Sequence, residues 1–205
     1  MIGLAAGASS RADFLSERTI IFALYFLFPA NLLIYGINDI FDYETDKLNT
    51  KKQDYELLVQ PAQRQSLIFW ILITNLPFLI ALFFISFESI PAMVGFLFFS
   101  IFYSAPPIRA KTKPFLDSAF NILYVFPGIF AFHLVSGDYP PVLTVFAAAC
   151  WTFAMHAYSA VPDIHADQRA QIKTVATQLG ANGTLALCLI LYMTASFLVF
   201  QYLHI

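Results

Sequence analysis

Six long apolar stretches constrain this chain more than any other feature of its sequence. Each is close to the about 20 residues that a helix needs to cross the hydrocarbon core of a bilayer. None alternates polar and apolar residues as a barrel strand would, so the backbone must satisfy its hydrogen bonds within helices. The sequence therefore predicts an all-α, polytopic transmembrane helical bundle. Its six spans are expected at Thr19–Ile37, Ser66–Phe87, Ile90–Ala105, Ser118–Val135, Pro141–Val161 and Thr184–Leu203.

Composition supports a membrane location, because only 12% of the 205 residues are charged and 59% are hydrophobic. A soluble domain carries about 25% charged residues. The net charge of -2 gives no electrostatic reason to expect a nucleic-acid partner. No repeat or linker divides the chain, so residues 1–205 are expected to form a single transmembrane domain. No basic residue precedes the weakly apolar start of the chain, so we expect no signal peptide there.

The charged residues gather on one face of the membrane if the six helices alternate in direction. Nine of the eleven Lys and Arg residues would lie on that face, together with nine of the thirteen Asp and Glu residues. Basic residues mark cytoplasmic loops, so we expect this face to be cytoplasmic in a protein of the inner (plasma) membrane. A cation transporter would place carboxylates near the middle of its spans. These spans have none there, which disfavours transport.

An acidic motif follows the first span. Asn38, Asp42 and Asp46 recur every four residues, and Asp39 precedes Asp42 by three. On a helix that continues out of the span these side chains share one face, where like charges repel unless a cation lies among them. Oxygen ligands without Cys or His favour Mg²⁺ or Mn²⁺ over zinc. The motif therefore predicts a site for a hard divalent cation.

Two further segments are expected on the same face. Asp163 and Asp167 repeat the four-residue step after the fifth span, and a proline-stiffened turn after the third span carries Arg109, Lys111 and Lys113. Cations of this kind suit diphosphate oxygens. Taken singly, an acidic pair is common at a solvent-exposed helix end, and basic residues commonly mark the cytoplasmic side of a transmembrane helix. Acids for metal ions and bases for phosphate, both at the lipid boundary, together predict a diphosphate on an apolar tail.

The three motifs, in this order, carry a family resemblance. They read Asn38-Asp39-x-x-Asp42-x-x-x-Asp46, then Tyr103-Ser104-x-Pro106-Pro107-x-Arg109-x-Lys111, then Asp163-x-x-x-Asp167. This pattern resembles the UbiA-type intramembrane prenyltransferase superfamily, whose members are all-helical membrane enzymes that use Mg²⁺ to join an isoprenyl diphosphate to a lipophilic acceptor. The local sequence around Phe28–Asn31 and Ser159–Ile164 is most similar to the lycopene elongase branch, whose members add dimethylallyl units to lycopene.

The resemblance implies roles for particular residues. Mg²⁺ would be held by Asn38, Asp39, Asp42, Asp46, Asp163 and Asp167, with Asp39, Asp42, Asp163 and Asp167 as the catalytic acids. The diphosphate would contact Arg109, Lys111, Lys113, Lys47 and Lys173. The rest of the substrate would lie against the rings of Tyr35, Tyr103 and Tyr158. Family members have nine spans, so we expect this chain to lack the first helix and the last two, which an oligomer or a partner could supply.

Two alternatives remain open from the sequence. A related enzyme would prenylate an aromatic quinone precursor such as 4-hydroxybenzoate, which favours a cation or hydrogen-bond donor deep in the cavity. Beyond His133 and His156, interpreted here as satisfied interior histidines, the spans offer little of that, while the role of His165 is open. Alternatively, the chain is an inactive, truncated paralogue that acts as a subunit or scaffold. Cys150 and Cys188 are expected to be free buried thiols.

Overall fold

The protein is a bundle of membrane-spanning helices. A computed structural model describes residues 15–47 and 58–203, although not the side chains of residues 44–46, 85 and 203, and these residues contain no β-strand. Six of their helical segments are long and apolar enough to cross a membrane, which confirms the predicted all-α membrane bundle. They are Glu17–Tyr43, Pro61–Phe84, Phe87–Ser104, Leu116–Ser136, Val142–Ser159 and Val175–Tyr202.

The described residues form nine α-helices, several of which join into the six spans. In chain order they are α1 (Glu17–Leu27), α2 (Pro29–Asp46), α3 (Arg64–Ile85), α4 (Ile90–Ser104), α5 (Leu116–Ala119), α6 (Phe126–Ser136), α7 (Val142–Ser159), α8 (Ile164–Arg169) and α9 (Val175–Leu203). Short 3₁₀ turns lie at Pro61–Gln63, Phe87–Ser89, Ala110–Thr112 and Phe120–Tyr124.

The first span is broken between α1 and α2 because Pro29 has no N–H to donate. The Asn31 side chain donates to the carbonyl oxygens of Phe26 and Leu27 at 2.9 and 3.0 Å. From α3, the buried Asn75 side chain donates to the Pro29 carbonyl oxygen at 3.0 Å. Side chains thus satisfy the backbone groups that the break leaves, as a membrane interior requires.

Aromatic side chains fill the core among α1, α4 and α6. Phe22, Tyr25, Phe96 and Phe130 are buried there, and the Phe22 and Phe130 rings meet edge to face with centroids 4.8 Å apart. A second apolar cluster, which includes the buried thiol of Cys188, joins α7 to α9. One cluster thus packs α1, α4 and α6 together, and the other packs α7 against α9.

The observed boundary of the last span differs from the sequence-based expectation. Helix α9 begins at Val175 rather than at Thr184, because its first turn is capped by Thr174, whose hydroxyl accepts the Thr177 N–H at 3.2 Å. Hydropathy alone misses this turn, since the capping residues are polar. Gly180, inside α9, has a φ of 69°, and this kink is accommodated because glycine lacks a Cβ.

Candidate functional site

The first acidic motif lies on the last two turns of α2. The helix runs without a break through Asn38, Asp39 and Asp42, as the sequence predicts for a helix continuing out of the first span. Asp42 is completely buried, whereas Asn38 and Asp39 are half-buried. The predicted metal ligand Asp46 lies outside the side chains that the structure describes.

The basic loop between α4 and α5 folds back onto this motif. The Lys111 ammonium donates to Asn38 Oδ1 at 3.2 Å and forms an ion pair with Asp42 Oδ2. Arg109 Nη2 lies 3.6 Å from Asp42 Oδ1 and donates to the Phe41 carbonyl oxygen at 3.3 Å. Two of the five cations predicted for the diphosphate therefore contact the predicted metal-binding motif.

Local backbone geometry explains how the loop delivers these cations. Helix α4 ends at Ser104, and the Arg109 N–H donates to the Ala105 carbonyl oxygen at 2.9 Å. Arg109 itself is left-handed, with a φ of 46°, and the following 3₁₀ turn buries Ala110 against the bundle. Ser104 also donates to Asn38 Oδ1, at 3.0 Å. The loop is thus fixed to α2 at both its start and its basic end.

The arrangement around Asp42 is that of a cation site. A buried carboxylate is costly unless it is paired, and here the Lys111 ammonium bridges the amide oxygen of Asn38 and the carboxylate of Asp42. Amide and carboxylate oxygens are also ligands that Mg²⁺ accepts. The donor set therefore fits a divalent ion, and the lysine shows that the position holds positive charge.

The second acidic motif lies on a separate short helix, α8, rather than at the end of the fifth span. Asp163 precedes α8, and its carbonyl oxygen accepts the Asp167 N–H at 2.9 Å. Thr174 Oγ1 lies 3.4 Å from Asp167 Oδ2, to which it donates. Burial raises the pKa of the Asp167 carboxyl, and the charge of Asp163 raises it further, against opposing effects of Thr174 and Lys111. The Lys111 charge thus acts on both acidic motifs.

The remaining predicted residues are more dispersed. Lys113 and Lys173 are exposed, and Lys47 Nζ lies 5.9 Å from the centre of the Tyr43 ring. Within the described residues, no three His, Cys, Asp or Glu side chains cluster closely enough to hold a metal ion by themselves. The assignment of six metal ligands therefore stays a prediction.

The three predicted substrate tyrosines have different surroundings. Tyr35 and Tyr158 are each 59% exposed. Tyr103 lies inside the bundle, where its hydroxyl and His156 Nε2 are 2.9 Å apart, and His156 Nδ1 is 3.2 Å from Ser118 Oγ. Both hydroxyls can donate or accept, so this hydrogen-bonded chain satisfies either tautomer of His156.

The other two histidines lie elsewhere. His133 is buried in α6, where its Nδ1 is 2.8 Å from Ser89 Oγ and its ring packs on Tyr139 with centroids 4.5 Å apart. His165 is exposed on α8. His133 therefore has polar and aromatic partners of its own, as an interior histidine requires.

Two residues beside the site were not assigned from the sequence. Ser104 belongs to the motif that runs from Tyr103 to Lys111, but it was assigned no role from the sequence. A serine in the last turn of an apolar span is nevertheless a candidate hydrogen-bond donor. Asp117 is completely buried at the start of α5, and its Oδ2 accepts the Val175 N–H at 3.0 Å. Its sequence signal is an acid immediately before an apolar stretch, which resembles an ordinary helix-capping residue.

The chain as a whole is similar to a known family and to several known proteins. The model of the UbiA prenyltransferase family matches residues 1–205. The lycopene elongase/hydratase of Haloferax volcanii is 39% identical over 198 residues, which cover 96% of this chain and 64% of that protein. The lycopene elongase/hydratase of Haloarcula japonica is 36% identical over 215 residues, which cover 100% of this chain and 69% of that protein. The chain thus spans about two thirds of the length of these relatives.

One solved structure resembles the whole chain. It is a UbiA homologue from Archaeoglobus fulgidus bound to GPP and Mg²⁺, with a TM-score of 0.77 and 21% sequence identity. The match covers 100% of this chain and 72% of that one. The likeness shows that this chain has the fold of the matched part of that protein.

Proposed function

Because this chain belongs to the UbiA prenyltransferase family, we propose that it transfers an isoprenyl group from its diphosphate to a lipophilic acceptor within the membrane. The observation that carries this proposal is the contact of Lys111 and Arg109 with the buried Asp42. Metal-type ligands and phosphate-type ligands thus meet at one place. The similar fold from Archaeoglobus fulgidus, described as bound to GPP and Mg²⁺, supports the same pairing.

The donor diphosphate and its Mg²⁺ are proposed to lie between the two acidic motifs. Mg²⁺, held by oxygens of the predicted ligands, supplies positive charge that stabilises the departing diphosphate. Lys111 and Arg109 contact Asp42 of the first motif, and they are proposed to exchange it for diphosphate oxygens when the donor binds. Lys113, Lys47 and Lys173 are proposed as further contacts with the same group. Their positive charge offsets the charge that develops as the carbon–oxygen bond breaks.

The donor is proposed to be dimethylallyl diphosphate and the acceptor lycopene or a related carotenoid. This choice rests on the relatives named lycopene elongase/hydratase. Among the described spans, Arg18 and Arg64 are basic, and both lie in the first turns of their spans. A deep cation suited to an aromatic acid such as 4-hydroxybenzoate is therefore absent from the described interior.

The aromatic side chains are proposed to shield the reacting carbon from water. The centres of the Tyr103 and His156 rings are 6.0 Å apart, and Tyr103 is proposed to lie beside the reacting carbon. Tyr35 and Tyr158 are proposed to contact the prenyl chain from the rim. Aromatic faces stabilise a nearby cation by about 0.5–2 kcal/mol each. The site is proposed to face the cytoplasm from the plasma membrane, because its loops carry most of the basic residues.

The experiment is a transfer assay on membranes that contain the full chain. Labelled dimethylallyl diphosphate and Mg²⁺ are supplied with lycopene or with 4-hydroxybenzoate in separate reactions. We expect labelled product from lycopene, loss of that product when Mg²⁺ is removed, and loss in Asp42→Ala at unchanged membrane insertion. Asp138→Ala, an exposed acid between α6 and α7, is the matched control and should retain activity.

Each other outcome contradicts a different part of the proposal. Product from 4-hydroxybenzoate alone would identify the aromatic acceptor instead. Undiminished turnover in Asp42→Ala would refute the role of the first motif. Absence of product with both acceptors would favour the inactive subunit or scaffold over the enzyme.

A further inference from the structure

Asp117 is an unusual residue to find at the start of a helix inside the bundle. Its side chain is completely buried, and Oδ2 accepts one hydrogen bond, from the Val175 N–H at the beginning of α9. Its other oxygen, Oδ1, has no hydrogen-bond partner among the described residues. A neutral cap would satisfy the same N–H with a smaller desolvation cost. The interaction of the carboxylate with the positive end of α9 offsets part of that cost.

The main chain of Asp117 is tied to the basic loop. Its own N–H donates to the Lys113 carbonyl oxygen at 3.0 Å, two residues beyond Lys111. Lys111 in turn contacts Asn38 and Asp42. The backbone of Asp117 is therefore fixed relative to the first acidic motif.

The carboxylate of Asp117 is tied to the second acidic motif. Val175 follows Thr174, whose hydroxyl donates to Asp167 Oδ2 at 3.4 Å. The Ile172 N–H also donates to the Asp167 carbonyl oxygen, at 2.9 Å. These contacts join Asp167 to the residues just before α9, so the position of Asp167 depends on where α9 begins. The hydrogen bond from the Val175 N–H to Asp117 Oδ2 fixes the start of α9.

We propose that Asp117 is a positioning residue that sets Asp167 against Asn38, Asp42 and Lys111, so that both acidic motifs act on one divalent ion and diphosphate. This inference rests on the proposed function, since it assumes that the two motifs share a ligand. Asp117 acts through the Val175 N–H and Thr174, and it is not itself a ligand. Removal of a group hydrogen-bonded to a metal ligand, as Thr174 is to Asp167, typically changes metal affinity 10–100-fold, and Asp117 acts on the same ligand through Thr174.

The test measures binding of Mn²⁺ to the purified full chain in the presence of inorganic diphosphate, followed by electron paramagnetic resonance. Asp117→Ala should weaken Mn²⁺ binding by about 10–100-fold. Asp117→Asn should restore binding to near the wild-type value, because its amide oxygen can still accept the Val175 N–H. Equally weak binding in Asp117→Asn would mean that the charge acts directly, and would overturn the positioning role.

A double-mutant cycle separates positioning from a general loss of stability. If Asp117 acts through Asp167, then Asp117→Ala should have no further effect on Mn²⁺ binding in the Asp167→Ala background. Additive effects would overturn the inference. Thr174→Val removes the hydroxyl that donates to Asp167 Oδ2 and that also accepts the Thr177 N–H. It should reproduce part of the loss, and it keeps the test valid if Asp117→Ala does not fold.

Two controls distinguish this inference from the proposed function. Ser89→Ala removes a buried hydrogen bond to His133, outside the site, and should leave Mn²⁺ binding unchanged. Unchanged binding in both Asp42→Ala and Asp167→Ala would refute the metal site of the proposed function. Weakened binding in those two variants with wild-type binding in Asp117→Ala would refute the positioning role alone.

Discussion

Asp42 is the residue whose surroundings most clearly link the fold to the chemistry. A carboxylate that is completely buried at a membrane boundary needs a positive partner, and it has Lys111 with Arg109 nearby. The same partners are suited to diphosphate oxygens. The two cations proposed for the diphosphate thus contact, in the folded protein, the acid proposed for the metal ion.

This pairing makes a prediction about stability. Lys111→Met should destabilise the folded protein by about 3 kcal/mol, because it removes the less exposed of the two cations beside the buried Asp42 carboxylate and leaves only Arg109, which is 42% exposed. Lys113→Met is the matched control, since Lys113 is exposed, and it should change stability by less than about 0.5 kcal/mol. The measurement is thermal unfolding of the purified variants in detergent. A midpoint for Lys111→Met equal to that of the control would contradict the pairing.

The spacing of Asn38 and Asp42 was sufficient to place both side chains on one helix face, and one ammonium group contacts both of them. That ammonium belongs to Lys111, which the sequence suggested only as a ligand of phosphate. Asp117 could not be assigned from spacing at all. Its role depends on contact with a residue 58 positions later in the chain, which no local pattern encodes.

At the scale of elements, close approach between helices limits which residues can be exchanged. A Cβ added at Gly95 in α4 would lie 2.2 Å from Cε1 of Phe126 in α6. The Phe126 ring is partly buried and packed against the aromatic core. Glycine at this position therefore allows the two helices to approach.

Gly95→Ala is predicted to destabilise the protein by about 1–3 kcal/mol, because the ring or the helix must shift to admit a methyl group. Gly128→Ala in α6 is the matched control, since no heavy atom lies within 4 Å of its added Cβ. The unfolding midpoints of both variants in detergent test this prediction. An unchanged midpoint in Gly95→Ala would show that the contact can relax without cost.

Hydropathy located all six spans but not all of their ends. The fifth apolar stretch was expected to reach Val161, whereas α7 ends at Ser159 and Asp163 begins a separate short helix. The last span begins earlier than expected because a threonine cap and the Asp117 carboxylate satisfy its first N–H groups. Capping by distant side chains is a tertiary effect, which an average over apolar residues does not detect.

At the scale of the whole molecule, the sequence indicated which residues share a membrane face but not which of them touch. Apolar length and charge asymmetry are properties of the chain alone, so the bundle could be predicted from them. The contact of the basic loop with α2, and the effect of the Lys111 charge on the pKa of Asp167, depend on how helices pack. The family resemblance predicted that the basic loop and the two acidic motifs form one site, whereas periodicity alone could not predict it.

The central claim is that the two acidic motifs, from α2 and from α8, hold one metal–diphosphate unit between them. Its most direct test is anomalous scattering from Mn²⁺ in crystals of the full chain with a dimethylallyl thiolodiphosphate that resists turnover. The account predicts Mn²⁺ peaks that contact oxygens of the Asn38–Asp42 motif and of the Asp163–Asp167 motif, joined through the same diphosphate. Peaks confined to one motif, with the diphosphate bound elsewhere, would contradict it.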